Sequence, residues 1–311
     1  MMAKKPKSPV LPRNVEDPTG VDRLERGAIN KLEEKLKQIG REYPKLLERI
    51  PSQPVVNKRY TYQLDKLLLD SILEQADQLI ESILLEGGSD DLWLYELYVK
   101  VAYERGTAQE FANLSNQSPA YKAGQESVTA IKRSEPYLRR IALVQARVFE
   151  EMKGFTASIQ ADMTRILTDG MGRGLNPDEI AKSLSAQTGL EQGRANRIAR
   201  TEITTALRRA RWDESEDAQE RYGLKTMLMH ISALSPTTRV KHALRHAHLY
   251  TIEAVREWYA KDANSINCKC NQVSVLVDKD GNPLVPSIVD RAQKMLQKSQ
   301  FTTNQKCSCC H

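Results

Sequence analysis

The segment Gly170-Met-Gly-Arg-Gly-Leu-Asn-Pro-Asp-Glu179 separates the longest helical periodicities of the chain and limits what it can fold into. Its glycines supply a helix stop, and Asn176 supplies a cap for the helix that follows. Pro177 suits a first helical position, where no N–H is needed, and Asp178 and Glu179 complement the helix dipole. Upstream, Leu138, Ile141, Val148, Met152, Phe155, Ile159, Met163 and Ile166 recur at helical spacing. They predict a helix from about Pro136 to Asp169, with Gly154 as its weak point. Downstream, a short helix from Ile180 to Gln187 precedes Gly189, and a long one runs from Gln192 to about Tyr222. A chain punctuated in this way is a set of packed helices.

The same reasoning extends in both directions. Leu24, Ala28, Leu32, Leu36 and Ile39 predict a first helix that ends before Pro44 or Pro51, where missing N–H groups break the ladder. A second helix is expected from about Thr61 until Gly87 and Gly88 terminate it, and a third over Asp91 to Arg105. Gly106 to Gly124 reads as a loop with short helical pieces. After Gly223 the texture changes. Leu224 to Ile231 and Val273 to Val277 read as strands, with a turn at Asp280-Gly281-Asn282. The expected fold is therefore mainly α, an extended helical body with a small C-terminal α+β module and flexible basic termini. Five regions follow: a flexible basic arm (1–20), an N-terminal helical region (21–135), a long-helix core (136–223), a small α+β His/Cys module (224–290) and a basic, Cys-containing tail (291–311).

Composition narrows the function classes. The 311 residues carry a formal charge of +6, which permits contact with nucleic acid or an acidic partner without requiring it. No apolar run approaches the roughly 20 residues that span a bilayer, and the N-terminal stretch lacks the apolar core of a secretory signal. Folding and assembly in a reducing cytoplasm are expected. All five cysteines (Cys268, Cys270, Cys307, Cys309 and Cys310) lie late in the chain, and their odd number argues against a disulfide scaffold.

Three constellations carry chemistry. In the helix beginning at Gln192, Arg197, Thr204, Arg208 and Arg211 align on one face, opposite an apolar stripe of Ala199, Ile203, Ala206 and Ala210. That face either meets DNA phosphate or an acidic protein surface, or is a solvated face. Glu202 falls between Ile198 and Ala206 and is expected to be partly buried and paired. Next, His242 and His246 share a helical face and precede Cys268-Lys269-Cys270. Two imidazoles and two thiolates make a candidate structural zinc site, although the Cys-x-Cys spacing is tighter than the usual Cys-x2-Cys. The alternative is a pinning role, with Arg239 and His242 hydrogen-bonded to backbone near the Cys268 turn. Finally, Cys307-Ser-Cys309-Cys310-His311 is either a further set of ligands or an unstructured end. Lys294 and Lys298 add exposed positive charge near it.

From Gly172 to Asp280 the sequence resembles the Mu F-like head morphogenesis family of phage minor head proteins. The resemblance is carried in order by the break at Gly172-Arg-Gly174, by Ile198-Ala-Arg-Thr-Glu202, by Arg239 to His242, and by Cys268-Lys-Cys270. Where the family pattern has Asp and a first Arg, this chain has Ser235 and Thr237, so any polar lock they build must be completed otherwise, with His246 as candidate. The resemblance implies a non-enzymatic minor head protein inside the virion head at the portal vertex, supporting head assembly and DNA packaging or ejection. Implied partners are the portal protein and genomic DNA, with scaffold or major capsid protein as further candidates.

Two other function classes fit parts of the sequence. A zinc-dependent nuclease or protease would use His242, His246 and Cys268, but no H-E-x-x-H or other base-bearing motif accompanies them. A helical DNA-binding regulator is permitted by the basic helix, yet no helix-turn-helix pattern surrounds it.

Overall fold

A computed structural model of the chain describes residues 6–125 and 127–299. The Cys307, Cys309, Cys310 and His311 expectation lies outside the described residues. The elements run α1 (Asp22–Leu47), β1 (Ser52–Pro54), β2 (Tyr60–Tyr62), α2 (Lys66–Leu84), α3 (Lys100–Gln117), α4 (Pro119–Gly124), α5 (Val128–Arg133) and α6 (Glu135–Gly172). They continue with α7 (Pro177–Leu190), α8 (Gln192–Tyr222), β3 (Thr226–Ile231), α9 (Val240–Ala243), β4 (Leu249–Tyr250), α10 (Ile252–Ala260), β5 (Asn271–Leu276) and α11 (Ser287–Lys298). The fold is mainly α with a small C-terminal α+β module, as the periodicities require. Among the described residues, no helix is long and apolar enough to cross a membrane.

The chain divides into two compact units, one comprising Arg26–Tyr98 and Leu143–Ala199. Its interior is apolar and mostly aliphatic: Leu32, Leu36, Ile39, Ile72, Ile80, Val148, Ile159, Met163, Ile180 and Leu184 are buried, with Tyr43, Tyr95 and Phe155 among them. At the Gly170–Glu179 break, the Asn176 carboxamide accepts the Asp178 N–H at 2.9 Å and Pro177 opens α7. Of the two expected stops, the second holds: α1 continues through Pro44 and ends at Leu47, ahead of Pro51. Proline has no N–H for the Gly40 carbonyl one turn earlier, and the Ser185 hydroxyl donates to that carbonyl instead, at 2.8 Å. Gly40 itself admits α7, because a Cβ there would come within 2.8 Å of Thr188 Oγ1.

The other unit comprises the described residues of Met1–Glu25, Val99–Ala142 and Arg200–His311. Its sheet has the order β4-β3-β5, all antiparallel, with Met229 opposite Val273 and His230 opposite Gln272. One face of the sheet is apolar: Met229, Ile231, Val273 and Val275 pack on Ile288 and Ala292 of α11. The other face carries His230, Gln272 and Ser274 and is buried as well. Burial on both faces explains why β3 alternates so weakly.

Three expectations give way in this unit. Gly106 does not open a loop, since α3 passes through it. A Cβ at Gly106 would lie 2.3 Å from the Leu207 carbonyl oxygen, so this glycine permits close contact between α3 and α8. The N-terminal stretch is anchored from Ser8 onward: the Asn113 carboxamide accepts the Val10 N–H, Asn116 donates to Ser8 O, and Asn271 donates to Pro18 O. Finally, the region from Arg291 is not tail from its start, because α11 extends to Lys298 with Ile288 and Ala292 buried.

Candidate metal centre

The centre is built on α8, α9 and the loop between α10 and β5. That loop ends in a tight reversal, with Asn267 in the left-handed region (φ 53°) immediately before Cys268. Asparagine tolerates this conformation better than most residues, and α8 fixes it from two positions. Thr201 Oγ1 accepts the Asn267 N–H at 2.9 Å, and Arg200 Nη1 donates to Asn267 Oδ1 at 2.5 Å. Two turns further along α8, Arg208 Nη1 donates to the carbonyl oxygens of Cys268 (2.8 Å) and Cys270 (3.3 Å). Lys269, between the two cysteines, ion-pairs with Asp22 at 2.5 Å. Glu25 lies 3.6 Å from Lys269 and 3.0 Å from Arg200.

From the other side, Arg239 caps the same loop and sets the approach of α9. Its guanidinium donates to the carbonyl oxygens of Ala263 (3.0 Å), Asn264 (2.9 Å) and Ile266 (3.1 Å). His242 then lies with Nδ1 3.4 Å from Cys268 Sγ and 3.6 Å from Cys270 Sγ. The three ligand atoms lie within 4.8 Å of one another, and all three residues are buried. Trp258 packs edge-on against the His242 ring at 4.6 Å, while His242 Nε2 is buried without a hydrogen-bond partner. Ser232 Oγ stands 3.5 Å from Cys270 Sγ and Tyr259 Oη 3.8 Å from Cys268 Sγ, so each sulfur has a hydroxyl beside it.

Electrostatics separates the two thiols. The Cys270 S–H, the His242 ring and the Arg208 guanidinium hold Cys268 well below the usual thiol range, against the cost of burial. Cys270, which donates to Cys268 and is itself buried, is pushed well above that range. Nearby, burial drives His230 down to about 3, so this ring is neutral. It stacks on Tyr259 and meets the Gln272 carboxamide at 3.2 Å. The set offers a buried thiolate, a second sulfur and an imidazole around one point. A cavity of about 130 Å³ adjoins them, lined further by Arg200, Ser235, Thr238, Arg239 and Lys269.

Two sequence expectations are corrected here. His246 does not share a grip with His242, because α9 ends at Ala243 and the chain then turns. His246 Nδ1 accepts the Ser232 N–H at 3.1 Å, and its Nε2 lies 2.8 Å from the Ala292 carbonyl oxygen, so both ring nitrogens are engaged away from the cysteines. Arg208 and Arg211 do not form a solvent-facing cationic face either. Arg208 is 0% exposed, 4.5 Å over the Tyr259 ring, and Arg211 pairs with buried Glu110 at 2.7 Å. Arg197, Lys294 and Lys298 are exposed, and Glu202 is buried. Sequence reasoning missed the roles of Arg200, Thr201, Arg208 and Trp258. A faint signal existed in the polar run Thr204, Thr205 and Arg208 on a helix whose opposite face is also apolar.

Residues 161–273 match the family described as Phage Mu protein F like protein. The matched stretch runs from the second half of α6 into β5 and includes every motif on which the resemblance was read. Over this stretch, about a third of the chain, the sequence is similar to that family. No curated protein and no solved structure matches the chain.

Proposed function

We propose that this Mu F-like chain is a minor head protein that binds the portal vertex, supports head assembly and DNA packaging or ejection, and performs no reaction of its own. The observation that carries the reading is the family match over residues 161–273, which holds the Arg-Thr-Glu helix and the Cys-x-Cys loop that this helix clasps. Genome contact is assigned to the exposed cations Arg197, Lys294 and Lys298 and is non-specific, through phosphate. Scaffold or major capsid protein are further candidate partners during assembly in the host cytoplasm.

The zinc hydrolase reading finds less support. A zinc-bound water acts with a carboxylate base in most such enzymes, whereas the residues lining the cavity beside His242, Cys268 and Cys270 include no Asp or Glu.

Mass spectrometry of extensively washed virions, combined with co-purification against the cognate portal protein, tests the role. The chain is expected in the particles and in a stable complex with portal. Absence from both would overturn the reading. Duplex DNA binding is expected to weaken linearly with the logarithm of salt concentration, with no preference for sequence.

A further inference from the structure

We propose that His242 Nδ1, Cys268 Sγ and Cys270 Sγ form a three-ligand Zn²⁺ site whose fourth position opens into the adjoining cavity and takes a small anion.

The separations are those of a tetrahedral centre. Zinc bonds of roughly 2.3 Å to sulfur and 2.0–2.1 Å to nitrogen, at the tetrahedral angle, place S and N about 3.6 Å apart. The two observed separations are 3.4 and 3.6 Å. Hydrogen bonding alone uses this arrangement poorly. A neutral imidazole nitrogen has one lone pair or one proton, so Nδ1 cannot make a full bond to each of two sulfurs at once. A cation among the three atoms engages a lone pair from each. Two thiolates and an imidazole are also the donor set that suits zinc.

The surroundings suit such a centre. The Ser232 and Tyr259 hydroxyls stand beside the two sulfurs, in the place of the donors that orient metal-bound thiolates. Nδ1 is the His242 ring nitrogen that faces both sulfurs, while Nε2 has no hydrogen-bond partner, so Nδ1 is the atom that offers a lone pair to a metal. The Cys-x-Cys spacing is workable because the reversal at Asn267 and the Arg208 clamp on both cysteine carbonyls turn the two sulfurs to one side.

Among the described residues, no fourth His, Cys, Asp or Glu joins the cluster. All three ligands line the cavity, so the remaining vertex faces it. Charge then selects the fourth ligand. Zinc with two thiolates is formally neutral, while buried Arg208 gives its hydrogen bonds to carbonyls and to the Thr205 hydroxyl, none of which cancels its charge. Arg239, on the cavity wall, likewise donates to carbonyls. An anion at the open vertex offsets this excess, which a neutral water does not.

The test uses the full chain, purified under reducing conditions without chelator. Elemental analysis should find stoichiometric zinc in the wild type and in a variant with Cys307, Cys309 and Cys310 changed to Ser. It should find none in Cys268→Ser/Cys270→Ser or in His242→Gln. A wild type without stoichiometric metal, or a tail variant that loses it, overturns the proposal, whatever the folding of the core variants. Replacement by Co²⁺ should give thiolate charge-transfer absorption and tetrahedral visible bands, and added azide should shift the visible bands. Bands indifferent to azide would overturn the open fourth position.

Discussion

The two compact units differ most in what they bury. In the unit of Arg26–Tyr98 and Leu143–Ala199, the buried polar side chains among the described residues are Lys35, Thr156 and Thr188. Lys35 reaches the Ile83 carbonyl and Glu86 from an otherwise apolar interior, over the Trp93 ring. In the unit around β3–β5, Glu110, Asn113, Gln117, Arg208, Arg211, Glu214, Ser215, His230, Gln272 and Ser274 are all buried, and most lie in chains of hydrogen bonds. Asn113 alone accepts from Val10 N–H and donates to Glu110 and to Ser274 O. The first interior is held by area removed from water and tolerates changes of shape. The second is held by satisfied partners, and removing one of them strands another. The polar unit therefore specifies one arrangement around the Cys-x-Cys loop, which an apolar interior does not do.

This contrast can be broken most forcefully at Arg211. Arg211→Ala leaves Glu110 buried without its ion pair and is expected to cost about 3–5 kcal/mol in denaturant unfolding. The double variant Arg211→Met/Glu110→Gln should recover much of that loss. If it does not, the polar interior is not governed by pairing. In the aliphatic unit, Leu36→Ala should cost about 2–5 kcal/mol, while Leu36→Met should cost less than about 1.5 kcal/mol. An equal cost for the two would contradict the tolerance claimed for that interior.

Glu214 gives a smaller effect with a pH signature. Burial, opposed by the hydrogen bond from Tyr121, raises its carboxyl from 4.5 to about 7. Below 4.5 the folded and unfolded chains both carry this proton. Between 4.5 and 7 the unfolded chain releases it and the folded chain keeps it, so the contribution to stability falls as pH rises. The change is of order 3 kcal/mol across that window. Glu214→Gln should flatten this part of the profile in unfolding midpoints measured across it, and an unchanged slope would remove Glu214 as its source. Smallest of all, Arg197→Ala should alter stability by no more than about 0.5 kcal/mol. It should nevertheless lower the salt slope of DNA binding by about 0.9, and an unchanged slope would remove Arg197 from the proposed genome contact.

Legibility followed the same division. The aliphatic unit was readable because each helix there has one wet face and one dry face, which is what a 3.6-residue period reports. The choice between Pro44 and Pro51 as the end of α1 was settled by Ser185, a partner 145 positions away from the Gly40 carbonyl that it satisfies. The polar unit was read less well because α8 lies between α3 and the sheet. Gly106 meets Leu207 and Ala210 on one side, while Arg208, Trp212 and Ser215 bond to Cys268, Gln272 and Thr226 on the other. An arginine face on such a helix has the pattern of a solvated face and the environment of a core.

By itself the sequence determined the long helices on either side of the Gly170–Glu179 break, the Asn176-Pro177 cap, the strand around Val273 to Val275, and the ordered motifs by which residues 161–273 are similar to the Mu F-like family. Those features arise from neighbours within one or two turns, or from residue identity alone. Tertiary structure decided that His246 turns away while His242 joins both cysteines, that Arg208 clamps the Cys-x-Cys carbonyls, and that the N-terminal stretch is held down by Asn113, Asn116 and Asn271. Each of those outcomes depends on which buried donor meets which acceptor across a long stretch of chain, and no local period encodes that choice.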